Sequence, residues 1–182
     1  MKTLIAFIAI IANLLPIFGH AGEAQAADSK MDNARLETLM KSMKLDIQGD
    51  AGQWRFELEG FFAMVITDEN ADRMRIIVQI PDTEALDAAL LLRLMQANFD
   101  SALDARYAIA NGSLWSTFIH PLSPLEDTEF ASGLAQAITL AATFGGSYSS
   151  GALLYQGGDS SGQIEELYRQ ILERSQNPDL IL

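Results

Sequence analysis

The chain has 182 residues, 49% of them hydrophobic and 20% charged, which is enough for one ordinary globular domain to bury a core unaided. Its 24 Asp+Glu against 12 Lys+Arg argue against nucleic acid, since phosphate neutralisation needs clustered Lys and Arg, and equally against an anionic membrane surface. With no cysteine, neither a disulfide nor thiol chemistry contributes.

Residues 1–26 have the layout of a secretory signal peptide: Lys2, an apolar run over 4–15, a Pro16/Gly19 break, then Ala24-Gln25-Ala26 before Ala27. The uninterrupted run is shorter than the ~20 residues a membrane span needs, so an uncleaved anchor is the weaker reading. The cleavage site lacks the Cys that a bacterial lipoprotein anchor requires. The expectation is a soluble exported protein, periplasmic or secreted, with no membrane contact after leader cleavage. The mature part keeps 23 acids against 11 bases, and no Lys or Arg falls between Tyr107 and Tyr168.

In chain order, residues 31–146 predict one α+β domain. Asp32 or Asn33 caps a first helix with Leu36, Leu39, Met40 and Met43 on one apolar face. Residues 49–52 are turn-rich. Strands follow over 54–59, 61–67 and 74–80, the last ended by Pro81, and their short connections make them an antiparallel meander. Asp82 or Thr83 caps a second helix over 84–97, apolar nearly all round, which must be buried on two sides. One side would be the sheet and the other a different helix or a second copy of the chain. Leu86, Leu90 and Leu94 are the expected dimer contact.

Strands over 106–110 and 114–119 flank Asn111-Gly112, the strongest short-range hairpin signal. Pro121 and Pro124 end the sheet. A third helix opens with Glu126, Asp127 and Glu129 in its first turn and is rich in small residues that allow close approach of another element; Gly145-Gly146 stops it. Residues 147–182 read as a linker with Gly157-Gly158 and a C-terminal amphipathic helix. That helix has Ser160 and Gln163 at capping-box spacing, Ile164, Leu167, Tyr168, Ile171 and Leu172 on one stripe, and a Glu165/Arg169 pair. It packs back on its own domain or docks in a partner's groove.

No constellation for chemistry emerges. The mature part has a single histidine, His120, too few for a zinc site without cysteine, and no Gly-x-Ser-x-Gly elbow accompanies it. Asp68, Asn70 and Asp72 match the start of a calcium loop, but Arg73 replaces its glycine and Gln79 its final glutamate. No catalytic residue, cofactor or metal ligand is assigned. The aromatics Trp54, Phe61, Phe62 and Trp115 are the candidate partner-binding residues, since several on one small sheet can leave an apolar patch.

The residues Leu36 and Leu39, the run Leu94-Met95-Gln96-Ala97-Asn98-Phe99, Tyr107-Ala108-Ile109 and Leu114 around Asn111-Gly112, and Pro121-Leu122 carry a family resemblance. In this order the chain resembles the type III secretion chaperone fold shared with YbjN-like proteins, over roughly residues 31–144. The resemblance implies an α+β domain that often dimerises, commonly through its second helix, holds an extended partner segment on exposed apolar grooves and performs no catalysis. Those chaperones work without a signal peptide, and this chain adds a tail beyond residue 145. The expected function is therefore a non-enzymatic exported homodimer that binds a protein partner. The alternative is a small-ligand-binding or sensory module of the cell envelope.

Overall fold

The computed structural model describes residues 30–81, 86–100, 102–144 and 161–176. The expected signal peptide, the Asp82 or Thr83 cap, Gly145-Gly146 and the glycine-rich linker lie outside them. The elements are α1 (Asn33–Ser42), β1 (Gln48–Asp50), β2 (Gln53–Leu58), β3 (Phe61–Asp68), β4 (Arg73–Ile80), α2 (Ala88–Asp100), β5 (Arg106–Ala110), β6 (Ser113–His120), α3 (Asp127–Ala142) and α4 (Ser161–Gln176). The strands form one antiparallel sheet in the order β1-β2-β3-β4-β6-β5.

Alternation builds the sheet. Trp54, Phe56 and Leu58 of β2 are buried while Gln53, Arg55 and Glu57 are exposed, and β4 buries Met74, Ile76, Val78 and Ile80 in the same rhythm. The register carries one apolar face across the strands, with Trp54 opposite Val65, Val65 opposite Ile76 and Ile76 opposite Phe118. Asn111 and Gly112 both have positive φ, +52° and +76°, the backbone a two-residue hairpin with matching twist requires.

The structure adds β1, which the sequence presents only as a turn-rich stretch. Its three residues are all exposed, so no apolar period marks it. Gly49, at φ +114°, lets it pair with β2, because a Cβ there would stand 2.4 Å from the Gln53 carbonyl oxygen.

The helices gather on the apolar face. The Asp32 carboxylate accepts the Arg35 amide to start α1, which buries Leu36, Leu39 and Met40. On the same helix Lys41, and to a lesser degree the Trp54 indole of β2, hold the Glu37 carboxyl below its ordinary range. In α3 the Glu129 carboxylate accepts the Glu126 amide at 2.9 Å, and the small residues permit the close approach their number predicts. A Cβ on Gly133 would sit 2.4 Å from the Phe118 ring of β6.

α4 packs back on α3. Ile171 is fully buried, and the Tyr168 and Ser132 hydroxyls share a hydrogen bond at 2.8 Å. Arg174 reaches Glu59 in the β2–β3 turn at 2.9 Å. Arg169 pairs with Glu166 and Glu173 instead of Glu165, because one guanidinium fork meets two carboxylates at once.

The calcium-like loop is a pinned turn. Asp68 accepts the Ala71 amide, and the two carboxylate oxygens of Asp72 accept the Ser123 amide at 2.6 Å and its hydroxyl at 3.1 Å. These bonds, the Ser123 amide first, hold the Asp72 carboxyl below its ordinary range.

Two outcomes follow. Gly133→Val should cost at least about 2 kcal/mol by forcing α3 off β6, read as a lower urea midpoint, and adding Phe118→Ala should recover part of it. A lowered folded-state pKa means that Asp72 stabilises above its unfolded value and loses that contribution as pH falls through the folded one. The urea-midpoint gap between wild type and Asp72→Asn should therefore be open at neutral pH and close below about pH 4, since an unperturbed aspartate titrates near 3.9.

Candidate partner-binding surfaces

Helix α2 begins at Ala88, where the Asp87 carboxylate accepts the Leu90 amide at 2.8 Å, and runs to Asp100, three residues past its expected end. It is tied to the sheet edge by Asn98. The Asn98 side-chain oxygen accepts the Tyr107 amide at 2.7 Å and its nitrogen donates to the Tyr107 carbonyl at 3.2 Å, so one amide caps the open edge of β5 as a neighbouring strand would. The Tyr107 hydroxyl donates to the Leu140 carbonyl of α3, and its ring meets Phe144 edge-on at 6.3 Å.

This attachment decides which stripe of α2 is spent. Leu94 and Ala97 are buried, and Leu86, Leu90 and Leu91 pack against the same core. The expected dimer residues Leu86, Leu90 and Leu94 thus face their own domain. The opposite stripe is Leu92, Met95 and Phe99, exposed by 61%, 56% and 87%, continued by Leu103 in the following loop. Both stripes are legible as apolar spacing at i, i+3 or i+4; only the position of Asn98 tells which one turns inward.

The four candidate aromatics do not form one patch. Trp54 is in the core and Phe61 packs against it from the same face, whereas Phe62 and Trp115 lie on the outer face of the sheet. Adjacent strand residues point to opposite faces, so Phe61 and Phe62 could not share one. The outer face also carries residues the sequence reading passed over. One cross-strand row is Arg55, Met64, Ile77, Thr117 and Arg106, and the next is Gln53, Ile66, Arg75 and Ile119.

Among the described residues two recesses open to solvent bear on a binding site. One, of about 550 Å³, lies on the outer face under β1, lined by Gln48, Gly49, Asp50, Ala51, Gln53, Arg55, Phe62 and Met64. The other, of about 410 Å³, lies between β6 and α3 and includes Asp104, His120, Glu129, Ser132 and Gln136. Its polar groups are largely spent on one another: the Gln136 side-chain oxygen accepts the Asp104 and Ala105 amides, and its nitrogen donates to Asp104 and Ser132. His120 stacks on Phe118 and donates from Nδ1 to the Pro121 carbonyl, a strand-end residue as its sequence setting implies. Among the described residues no group of three or more His, Cys, Asp or Glu is placed to hold a metal, and no helix is long and apolar enough to cross a membrane.

No family model matches the chain, and no curated protein matches it in sequence. Solved structures do. A chain of the ExsC-ExsE complex superposes with a TM-score of 0.53 at 12% identity, covering 67% of this chain and 100% of that one. A chain of the HopA1-SchA chaperone-effector complex gives 0.47 at 13%, covering 59% and 87%. The architecture is secretion-chaperone-like, an α+β fold with a six-stranded antiparallel sheet flanked by helices.

Replacing Asn98 by Ala removes the two hydrogen bonds it makes to the Tyr107 backbone. The expected cost is about 1–3 kcal/mol, with faster hydrogen exchange at the Tyr107 amide and along α2 while β2 to β4 stay protected.

Proposed function

We propose that the protein is a non-enzymatic, exported homodimer that binds a segment of another protein. The observation that carries this is the exposed stripe Leu92, Met95 and Phe99 on a helix whose other side is already committed to the core. Apolar side chains in a row of this kind mark an interface on a soluble protein, and a second copy of the same stripe supplies an isologous partner. The contact falls on α2, the helix the sequence resemblance assigns to dimerisation, but on its opposite side from Leu94. The secretion-chaperone-like fold supports binding of a protein segment, and the self-satisfied polar recess beside His120 offers a small ligand little to bond. Residues 1–26 supply the export signal.

Light scattering at tens of micromolar should give twice the chain mass, and Met95→Glu with Phe99→Glu should give a folded monomer. A wild-type monomer would remove the dimer. Stabilisation by several degrees with a small metabolite in a thermal-shift screen would favour the ligand-binding envelope module instead.

A further inference from the structure

The outer face of the sheet differs in charge from the rest of the molecule. It carries four of the 12 Lys+Arg, Arg55, Arg73, Arg75 and Arg106, and three of the 24 Asp+Glu, Asp50, Glu57 and Asp68. The remaining sequence keeps 21 acids against eight bases. Among the described residues neither Arg55 nor Arg75 forms an ion pair or a side-chain hydrogen bond, so both guanidinium groups keep their donors for a partner. Apolar side chains border each on at least one side, though Glu57 shares the face two residues along β2 from Arg55 and Asp50 lines the same recess. Arg55 stands opposite Met64, Arg75 stands between Ile66 and Ile119, and the recess under β1 places Arg55 beside Phe62 and Met64.

We propose that this face docks an extended acidic segment of the protein partner, its apolar side chains on Phe62, Met64 and Ile77 and its carboxylates on Arg55 and Arg75. This inference rests on the protein-binding reading and gives that partner its chemistry. Arg55 and Arg75 lie two strands and one row apart, about 12 Å from the ~4.8 Å strand spacing and the ~6.7 Å repeat along a strand. Carboxylates at i and i+4 of an extended chain are about 13 Å apart and on one side, with an apolar residue at i+2 between them. A second copy brings this face no surplus of negative charge, because the copy's own face carries four arginines against three carboxylates, whereas an acidic segment does. An anionic membrane would have to accept the acidic surface that borders the face.

The test is fluorescence anisotropy on the purified exported protein with a labelled peptide built on Glu-Ser-Leu-Ser-Glu, against the same peptide with Lys for Glu. The Glu peptide should bind at least tenfold more tightly than the Lys peptide, and Arg55→Ser with Arg75→Ser should weaken it at least tenfold without changing the mass seen by light scattering. Equal affinities, no binding of the Glu peptide, or binding indifferent to the double substitution would overturn the proposal. So would an arginine-dependent preference for phosphatidylglycerol vesicles over the peptide, or a double substitution that dissolves higher oligomers. A dimer that ignores the peptide sinks only this docking site; a monomer that binds it sinks only the homodimer.

Discussion

The contact between Gly133 and Phe118 sets how the rest of the molecule is arranged. With no side chain at Gly133, α3 comes down onto β6 at van der Waals distance, and its neighbours Phe130, Leu134, Ala137 and Ile138 are carried into the sheet with it. A helix this close to β4 and β6 covers that end of the face, and α1 lies over the other end, where Glu37 bonds the Trp54 indole. α4 then has only the back of α3 to cover, and Ile171, Tyr168 and Arg174 tie it there. Among the described elements the packing is one-sided, and it leaves open the opposite face of the sheet.

The edge of the sheet is managed differently from its faces. β5 ends the order on one side, and an unpaired strand edge is a template for unwanted pairing. Asn98 and Gln136 supply the missing partners: Asn98 takes both backbone groups of Tyr107, and Gln136 takes the amides of Asp104 and Ala105 just before the strand. Two helices are therefore fixed to one edge by side-chain amides, each acting as donor and acceptor. The fixing also has an outcome for α2 as a whole, because anchoring Asn98 and Leu94 inward turns Leu92, Met95 and Phe99 outward. An edge-protection device and an exposed apolar stripe are thus two sides of one helix.

Most of the fold was legible in the sequence because period carries it. The strand alternation of residues 53–58 and 73–80, the Asn111-Gly112 turn and the Asp32 cap are local signals whose physical requirement is met within a few residues. β1 was not legible, since three exposed residues have no period and only the pairing to β2 makes them a strand. The binding surfaces were half legible. That α2 has an apolar residue on nearly every side was plain, but which stripe belongs to the core depends on Tyr107, nine residues beyond Asn98 and on a different element. Among the aromatics, the parity of Phe61 and Phe62 already separates them; which parity faces the helices is settled by α3.

The same parity explains why net charge misleads about partners. A charge of −12 over the whole chain describes an average, and it points to a basic partner or to plain solubility. Strand alternation redistributes that charge. Arg55, Arg73, Arg75 and Arg106 occupy the outward phase of three different strands, far apart in sequence, and the sheet register brings Arg55 and Arg106 into one row. Carboxylates concentrate instead on helices and turns, as with Glu37, Glu126, Asp127, Glu129 and Glu166. An acidic segment approaching the helical side meets like charge, while on the sheet side it meets more guanidinium groups than carboxylates, with Met64, Ile66, Ile77 and Ile119 beside them. Selectivity for orientation follows from repulsion on one side as much as from attraction on the other.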